Sequence, residues 1–456
     1  MKNLNLLALA GLVLFSCSQP TSDNNSDSNE FVLAPADSYP GKIAGSTIYE
    51  VNIRQHTPEG TFNAFAEDLP RLKDLGVEVL WLMPINPISE KNRKGPLGSY
   101  YAVGDYKAVN PEFGTDEDFQ NLVNKIHDLG MYVILDWVPN HTGWDHPWIE
   151  SNPDFYTKDE NGNITYEADW TDIALLNHYN EGTRDSMIAS MKYWVTEFDI
   201  DGFRQDHAAH EIPLFFWEEA TRELEPLKDL LWLAEWDGAR MHKEFHITYA
   251  WPLMHLQNEV AKGEKNAHDI EQYLRDEMHE YCREPFRMTI ATNHDENSWN
   301  GTVFERYGEG HQTFATFIFT AYGIPMLYSG QEVGLDERLK FFEKDTINWS
   351  DPLKLQPFYK SLVSLHKENQ ALWAGQFGGT PVRINSDDWI YAFKREKEGN
   401  QVIGILNFSD KNQALNLTDT SVSGTYTDYF TKEKFTLGSD PLVLSPWQYL
   451  IFVSNE

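Results

Sequence analysis

Short apolar segments alternate with longer amphipathic segments over most of the 456-residue chain. The apolar segments have the length of strands, whereas the amphipathic ones place apolar residues at helical spacing. The predicted strands cover 46–53, 77–85, 131–138, 200–204, 229–236, 286–293 and 323–330. The predicted helices cover 61–76, 115–130, 184–198 and 213–224, and a further helix ends near residue 322. Thr115 is the expected N-cap of the second helix, because its hydroxyl can accept a free amide hydrogen of the first turn.

This alternation of strand and helix repeats about eight times between residues 46 and 370. Such a repeat predicts a parallel sheet covered by helices, and its length fits a closed (β/α)8 TIM barrel, an α/β fold. A doubly wound open sheet is the alternative. No glycine-rich nucleotide-binding loop follows the first strand, so the closed barrel is favoured.

Two segments depart from the repeat. Residues 137–183, after the third strand, are rich in Trp, Asn, Asp and Pro and predict a short inserted subdomain. After residue 373 the helical patterns stop, and short alternating strands follow, which predicts a C-terminal antiparallel β-sandwich over 374–456. The barrel domain is accordingly expected to cover 41–373, with the insert included.

The N-terminus carries the pattern of an export signal. Lys2 precedes about a dozen mostly apolar residues, a run too short to span a bilayer permanently. The segment LFSC, which ends at Cys17, resembles the bacterial lipoprotein box, whose cysteine is lipidated and becomes the new N-terminus. Residues 1–17 are therefore predicted to be a lipoprotein signal peptide and 18–40 a flexible polar tether, with an ordinary signal peptide as the alternative. The lipid on Cys17 would hold a secreted protein at a membrane, facing either the periplasm or the exterior.

The composition narrows the classes of partner. The chain has 70 acidic and 37 basic residues and a net charge of −33, which repels phosphate backbones and disfavours nucleic-acid binding. Aromatic residues reach 14% and suit either a packed core or stacking on the apolar faces of sugars. With Cys17 lipidated, Cys282 has no partner, so neither a disulfide nor a cysteine metal site is expected. The composition leaves the oligomeric state open.

Polar side chains follow the predicted strands at the positions where a barrel of this type carries its active site. In a (β/α)8 barrel the active site lies at the carboxyl ends of the strands. One polar cluster is weak evidence, but four at matching positions of one repeat indicate a shared site. The residues are Asp136, Asn140 and His141 after the third strand, Arg204, Asp206, His207 and His210 after the fourth, Glu235 after the fifth, and His294 and Asp295 after the seventh.

Two of these carboxyl groups have contrasting predicted surroundings. Side chains alternate along a strand, so Arg204 and Asp206 point the same way, and the guanidinium is expected to lower the pKa of Asp206. Glu235 lies in the apolar segment LAEW, which is expected to raise its pKa, as a general acid requires. An ionised nucleophile and a protonated acid together are the arrangement for glycosidic bond cleavage.

The remaining polar residues have supporting roles in this prediction. Asp295 is expected to stabilise a cationic transition state or to hold sugar hydroxyls. His141 and His294 can hydrogen-bond hydroxyls as neutral imidazoles. Asp136 is interpreted as a structural residue at a strand end. His207 directly follows Asp206, so it is expected to face away from the pocket.

The four segments DWVPNH, GFRQDHAAH, LAEW and TNHDEN resemble the signature regions of the α-amylase family, glycoside hydrolase family 13. The resemblance implies retaining hydrolysis of α-1,4-glucosidic bonds in starch-like α-glucans or maltooligosaccharides. It assigns Asp206 as nucleophile, Glu235 as acid/base and Asp295 as transition-state stabiliser. It places Arg204, His141 and His294 around the sugar in the cleaved subsite. The segment GSYYAVGDY, at 98–106, is similar to the family segment in which Tyr101 would stack on that sugar.

The sequence departs from the family pattern at the calcium site. The resemblance implies no cofactor for the chemistry, but many members bind a structural calcium ion. Asn140 matches one ligand position, and His210 matches another through its backbone carbonyl. The insert usually adds an aspartate, whereas the matching stretch IALLN, at 173–177, has no acidic residue. Because calcium prefers carboxylate oxygens, the site is expected to be weak or absent unless Asp169 or Asp172 compensates.

Several alternatives stay open. Ala209 replaces a lysine of many α-amylases, so the contacts beyond the cleaved bond and the bond preference are unsettled. A transglycosylase, or an enzyme for α-1,6, cyclodextrin or disaccharide bonds, would use the same machinery. A non-catalytic glucan-binding protein would keep the fold but release no reducing ends. A metal-dependent hydrolase is disfavoured, because no histidine-rich set of suitable positions is present.

Overall fold

The computed structural model describes residues 38, 39, 41–281, 286–438 and 441–455. The predicted signal peptide with Cys17, nearly all of the tether, and Cys282 lie outside these ranges. In chain order the strands are β1 (Ile48–Val51), β2 (Val79–Leu82), β3 (Tyr132–Trp137), β4 (His141–Gly143), β5 (Ile173–Leu175), β6 (Gly202–Gln205), β7 (Leu231–Ala234), β8 (Ile247–Tyr249), β9 (Phe286–Thr289), β10 (Ile324–Tyr328), β11 (Val382–Arg383), β12 (Ile390–Lys397), β13 (Asn400–Asn407), β14 (Gln413–Ala414), β15 (Gly424–Thr427), β16 (Lys434–Leu437), β17 (Val443–Leu444) and β18 (Tyr449–Asn455).

The helices connect and cover these strands. They are α1 (Ile53–His56), α2 (Phe62–Ala66), α3 (Leu69–Leu75), α4 (Asp116–Asp128), α5 (Trp148–Ser151), α6 (Glu181–Phe198), α7 (Leu214–Leu224), α8 (Trp251–Ala261), α9 (Ala267–Glu280), α10 (Val303–Tyr307), α11 (His311–Thr320) and α12 (Leu355–Glu368). Within the described ranges, no helix combines the length and the apolar character that crossing a bilayer requires.

Eight parallel strands close into a barrel in the order β1, β2, β3, β6, β7, β8, β9, β10, and β10 pairs with β1. The predicted (β/α)8 fold is therefore confirmed. The strands are buried on both faces, because side chains fill the interior and helices cover the outside. This is why they read as continuous apolar runs in the sequence rather than as alternating ones.

Two helical features follow from local chemistry. Thr115 caps α4 as predicted, since its hydroxyl accepts the Asp118 amide hydrogen at 3.2 Å and the Asp118 carboxylate accepts the Thr115 amide hydrogen at 2.9 Å. The single helix predicted over 61–76 is wrong, because α2 ends at Ala66 and α3 begins at Leu69. Pro70 lies in the first turn of α3, where its missing N–H is tolerated, whereas it would interrupt a continuous helix.

The insert after β3 folds as a short antiparallel unit. His141 in β4 pairs with Leu175 in β5, and α5 lies between these strands in the chain. The two-stranded pairing places the carboxyl end of β3 and the end of the insert side by side. The insert therefore stands directly beside the mouth of the barrel.

The C-terminal region forms the predicted antiparallel β structure. A four-stranded sheet has the order β11, β12, β13, β18, and two-stranded pairs β14–β17 and β15–β16 accompany it. Arg395 in β12 is fully buried against the barrel. Its guanidinium donates to the carbonyls of Thr320 (3.2 Å) and Ala321 at the end of α11, and to the carbonyl of Trp373 (2.9 Å). One side chain thus supplies donors to the otherwise unpaired carbonyls of a helix end.

Candidate active site

The carboxyl ends of β6 and β7 fix two acidic side chains at the barrel mouth. The ladder continues one residue past each strand, since the amide of Asp206 donates to the Trp137 carbonyl (2.9 Å) and the amide of Glu235 donates to the Gln205 carbonyl (2.9 Å). Asp136 stands beside Arg204 in the register of β3 and β6. Backbone pairing between neighbouring strands therefore fixes the positions of these residues independently of their side-chain contacts.

One guanidinium group contacts three carboxylates at the floor of the cleft. Arg204 Nη1 lies 2.7 Å from Asp136 Oδ1 and 2.9 Å from Asp206 Oδ1, and Nη2 lies 2.8 Å from Glu235 Oε1. The Arg204 side chain is fully buried, and its guanidinium lies over the ring of Trp81. Arg204 and Asp206 point the same way, as predicted from strand alternation. A buried guanidinium of this kind needs paired carboxylates around it.

The pKa order of the two central carboxyl groups is the reverse of the prediction. Burial and the neighbouring Glu235 raise the pKa of Asp206 to about 6, although Arg204 opposes this. Burial also disfavours ionisation of Glu235, but the charge of Arg204 and the backbone amide of His207, which donates at 2.9 Å, lower its pKa below the usual value. The burial that was expected to raise the pKa of Glu235 is present, but the charges and the backbone amide around the carboxylate outweigh it. The two groups titrate as a pair.

A second group of side chains surrounds His294 on the other side of the cleft. Its Nε2 lies 2.8 Å from the Tyr101 hydroxyl and 3.3 Å from Asp295 Oδ2, and its Nδ1 lies 2.5 Å from Glu50 Oε1. Burial alone would lower the pKa of His294, but Asp295 and Glu50 raise it to about 9. His294 is therefore cationic at neutral pH, rather than the neutral hydrogen-bonding imidazole considered from the sequence. Tyr101 also donates to Asp136 Oδ2 at 3.0 Å, which joins the two groups.

Glu50 was missed by the sequence analysis. It is fully buried on β1 and contacts the imidazole of His294. Its signal is a single acidic residue inside the apolar strand segment TIYEVNI. A charged residue in a buried strand needs a partner, so this position indicates a functional or structural ion pair.

Of the two predictions made for the histidines on the insert side of the cleft, one is confirmed and the other is wrong. Burial and the nearby His207 lower the pKa of His141 to about 3, so its imidazole is neutral, as predicted. The expectation that His207 faces away is wrong, because its side chain lines the cleft and packs edge-on against Trp170 at 5.2 Å. β6 ends at Gln205 and His207 has a positive φ of 48°, so the strand alternation does not extend to it.

The predicted calcium ligands do not form a suitable donor set. Asn140 Nδ2 donates to the His210 carbonyl at 2.8 Å, and Asn140 Oδ1 lies 3.0 Å from His141 Nδ1, so both expected ligand oxygens are engaged within the protein. The two acidic residues that were expected to compensate lie beside Lys94, which donates to the Asp169 carbonyl and pairs with Asp172. In the part of the chain that the structure describes, no group of three or more acidic, histidine or cysteine side chains is arranged to hold a metal. Because calcium prefers several carboxylate oxygens, weak or absent calcium binding at this position stays a prediction.

Most of the predicted site residues line one cleft of about 760 Å³ at the carboxyl ends of the strands, whereas Arg204, Asn140 and His210 are not among its lining residues. The loop after β10, which contributes Phe341 and Phe342, was not assigned to the site from the sequence. The lining residues are Tyr101, His141, Asp206, His207, Glu235, His294 and Asp295 at the floor, and Lys94, Ser99, Asp169, Trp170, Asp172, Ile173, Trp299, Phe341 and Phe342 above it. Charged groups at the bottom and aromatic rings above them suit a polyhydroxylated ligand with apolar ring faces.

Comparison with known proteins agrees with this geometry. The family model described as the catalytic domain of alpha-amylase matches residues 19–172 and 156–376. Alpha-amylase 3 of Dictyoglomus thermophilum is 27% identical over 447 residues, which cover 81% of this chain and 86% of that one. The crystal structure of an alpha-amylase from Lactobacillus plantarum superimposes with a TM-score of 0.81 at 27% identity, covering 90% of this chain and 99% of that one. A noncanonic maltogenic alpha-amylase from Thermotoga neapolitana gives a TM-score of 0.80 at 28% identity, covering 91% and 97%. With a family model matched over most of its length, and with such an active-site cleft, this chain belongs to the α-amylase family of glycoside hydrolases.

Proposed function

We propose that the protein hydrolyses α-1,4-glucosidic bonds of starch-like α-glucans or maltooligosaccharides with retention of the anomeric configuration. The observation that carries the proposal is the single guanidinium of Arg204, which contacts both Asp206 and Glu235 at adjacent strand ends. Retaining glycosidases need two carboxyl groups only about 5–5.5 Å apart. Contact with one guanidinium supports this proposal, because it brings the two carboxylates close to each other.

The first step forms a covalent intermediate. Ionised Asp206 attacks the anomeric carbon, the glycosidic C–O bond breaks, and Glu235 gives its proton to the leaving oxygen. A glycosyl ester on Asp206 and an ionised Glu235 result. In the second step Glu235 removes a proton from water, whose oxygen attacks the anomeric carbon and releases Asp206.

The proton on the carboxyl pair has to move before attack. The chemistry needs it on Glu235, whereas the pKa order of the free site places it on Asp206. We propose that the sugar reverses this order, since a glycosidic oxygen near Glu235 accepts a hydrogen bond and growing positive charge at the anomeric carbon favours ionised Asp206. Asp295 and the cationic His294 would then hold hydroxyls of the same sugar.

Transglycosylation is the second candidate. An α-1,4-glucan:maltose-1-phosphate maltosyltransferase of Salinibacter ruber is 28% identical to this chain over 359 residues, which cover 70% of this chain and 53% of that one. A sugar hydroxyl would replace water in the second step, while the first step would be unchanged. The same carboxylates therefore serve both reactions.

Proton NMR during hydrolysis of maltoheptaose tests the proposal. The first product anomer should be α, because two displacements at one carbon restore its configuration. Initial release of the β anomer would contradict a covalent intermediate on Asp206. Binding of maltoheptaose without any new reducing end would favour the non-catalytic alternative, and products longer than the substrate would favour transglycosylation.

A further inference from the structure

We infer that the cleft is closed on the side that receives the non-reducing part of the glucan, so that the enzyme cuts from non-reducing chain ends rather than within chains. The inference rests on the proposed function. It is carried by contacts that join three separate loops of the barrel mouth into one wall, and by the position of this wall relative to Glu235.

The position of Glu235 gives the bound chain a direction. Glu235 protonates the leaving oxygen, so the departing part of the glucan lies on the β7 side of the barrel. C1 and C4 lie on opposite sides of a glucose ring, and the non-reducing part of the chain continues from O4, away from Glu235. In the closed strand order, β1 lies four strands from β7 in both directions. The non-reducing part therefore runs towards β1 and its neighbours β2 and β10.

The loops after β2 and β10 meet on that side. The Leu97 amide donates to the Phe342 carbonyl at 3.0 Å. These two loops thus close over the end of β1 through a backbone hydrogen bond. Phe341 from the same loop as Phe342 stacks on Tyr101 with ring centres 6.1 Å apart, which joins the wall to the floor of the cleft.

The wall continues on both flanks. Lys94, from the loop after β2, donates to the Asp169 carbonyl of the insert at 2.6 Å and lies 3.5 Å from the buried carboxylate of Asp172. On the other flank Trp299, which follows β9, packs against Phe341 with ring centres 5.6 Å apart. The wall therefore extends from the loop after β9, past β10, β1 and β2, to the insert after β3.

Among the residues that the structure describes, the opposite side of the mouth contributes few side chains to the cleft. Among the residues lining the cleft, only Asp206, His207 and Glu235 come from the segments that follow β6 and β7, and within the described ranges the segment after β8 supplies none. A glucan can therefore leave the cleft past Glu235, but its non-reducing end has to stop at the wall. This arrangement favours action on chain ends.

A pair of maltoheptaosides tests the inference, one with a free non-reducing glucose and one with an ethylidene group on that glucose. Wild type should cleave the free substrate at least about fiftyfold faster than the blocked one, since the added group meets the wall. Equal rates, within about threefold, would overturn the inference and leave hydrolysis intact. If neither substrate were cleaved, the proposed function would fail and the inference with it.

Variants of the wall test whether the wall is the cause of the slower cleavage of the blocked substrate. Lys94→Ala removes the link to the insert, and Phe342→Ala removes a ring of the wall; each should raise the blocked-to-free rate ratio about tenfold. Lys107→Ala is the matched control, because Lys107 is an exposed residue of the same loop that does not line the cleft. A ratio unchanged in both wall variants, with folding intact by circular dichroism, would contradict the role of the wall.

Discussion

The floor and the rim of the cleft are built in different ways. The floor consists mainly of buried charged groups at strand ends, held by Arg204 on one side and His294 on the other. The rim consists of aromatic rings and polar side chains on loops, and Trp299 remains 55% exposed there. Buried ion pairs are sensitive to the loss of one partner, whereas partly exposed rings contribute modest stacking energy. The floor should therefore control the chemistry and the rim the choice of substrate.

The strongest test of this contrast is Asp206→Asn. An amide cannot form the glycosyl ester, so kcat should fall at least about ten-thousandfold, while circular dichroism should show an intact fold because the amide keeps the shape of the side chain. Asp185→Asn, an exposed position on α6, is the matched control and should keep wild-type turnover. Steady-state kinetics on maltoheptaose make the measurement. Substantial residual turnover in Asp206→Asn would show that the nucleophile lies elsewhere.

The next test is the pH dependence of kcat/KM. The reaction needs one proton on the Asp206–Glu235 pair, and that proton is lost as the pH rises through the raised pKa of Asp206, about 6. Above this pH, kcat/KM should fall about tenfold per pH unit, and the acidic fall should begin only below the ordinary pKa of a glutamate, since that of Glu235 is lowered. A rise in kcat/KM through pH 6 would contradict this assignment of the proton.

A smaller effect is expected for Glu50→Gln. The amide oxygen can still accept a hydrogen bond from His294, but the negative charge that helps to raise the pKa of His294 to about 9 is lost. The pKa of His294 should fall, and kcat should decrease about tenfold. NMR titration of the His294 imidazole gives a readout that a change in packing alone would not produce. Glu67→Gln, at an exposed site, is the control. An unchanged pKa of His294 in Glu50→Gln would show that Glu50 does not set the charge of His294.

The smallest effect is expected at the rim. Trp299→Ala removes a stacking surface worth about 0.5–1.5 kcal/mol, so KM for maltoheptaose should rise about two- to tenfold with kcat nearly unchanged. Tyr179→Ala, which removes a 75% exposed ring outside the cleft, is the control. A decrease in kcat alone would show that Trp299 acts in the chemical step, like the residues of the floor, and would weaken the distinction between the two regions.

The contrast between floor and rim also explains which parts of the fold and of the site could be predicted from the sequence. Seven barrel strands were predicted, because each has a run of apolar residues of sufficient length. The strand β8, with only three residues from Ile247 to Tyr249, is too short to give a pattern. Apart from Glu50, the charged floor residues were found because they directly follow these strands.

The protonation states and the rim could not be predicted from local sequence. The pKa values of Asp206, Glu235 and His294 depend on partners that are distant in the chain, such as Glu50 for His294. His207 was misplaced because its backbone leaves the strand. Phe341 and Phe342 enter the cleft only through the path of a long loop, which hydrophobic periodicity does not describe.

The guanidinium of Arg395 makes the barrel and the C-terminal sheet interdependent. A shortened chain that stopped at the predicted boundary, residue 373, would lack this cation, and the last carbonyls of α11 would lose its donated hydrogen bonds inside an apolar contact. The sheet therefore acts as a structural lid on a helix end of the barrel. We therefore expect the two parts to unfold together in one thermal transition.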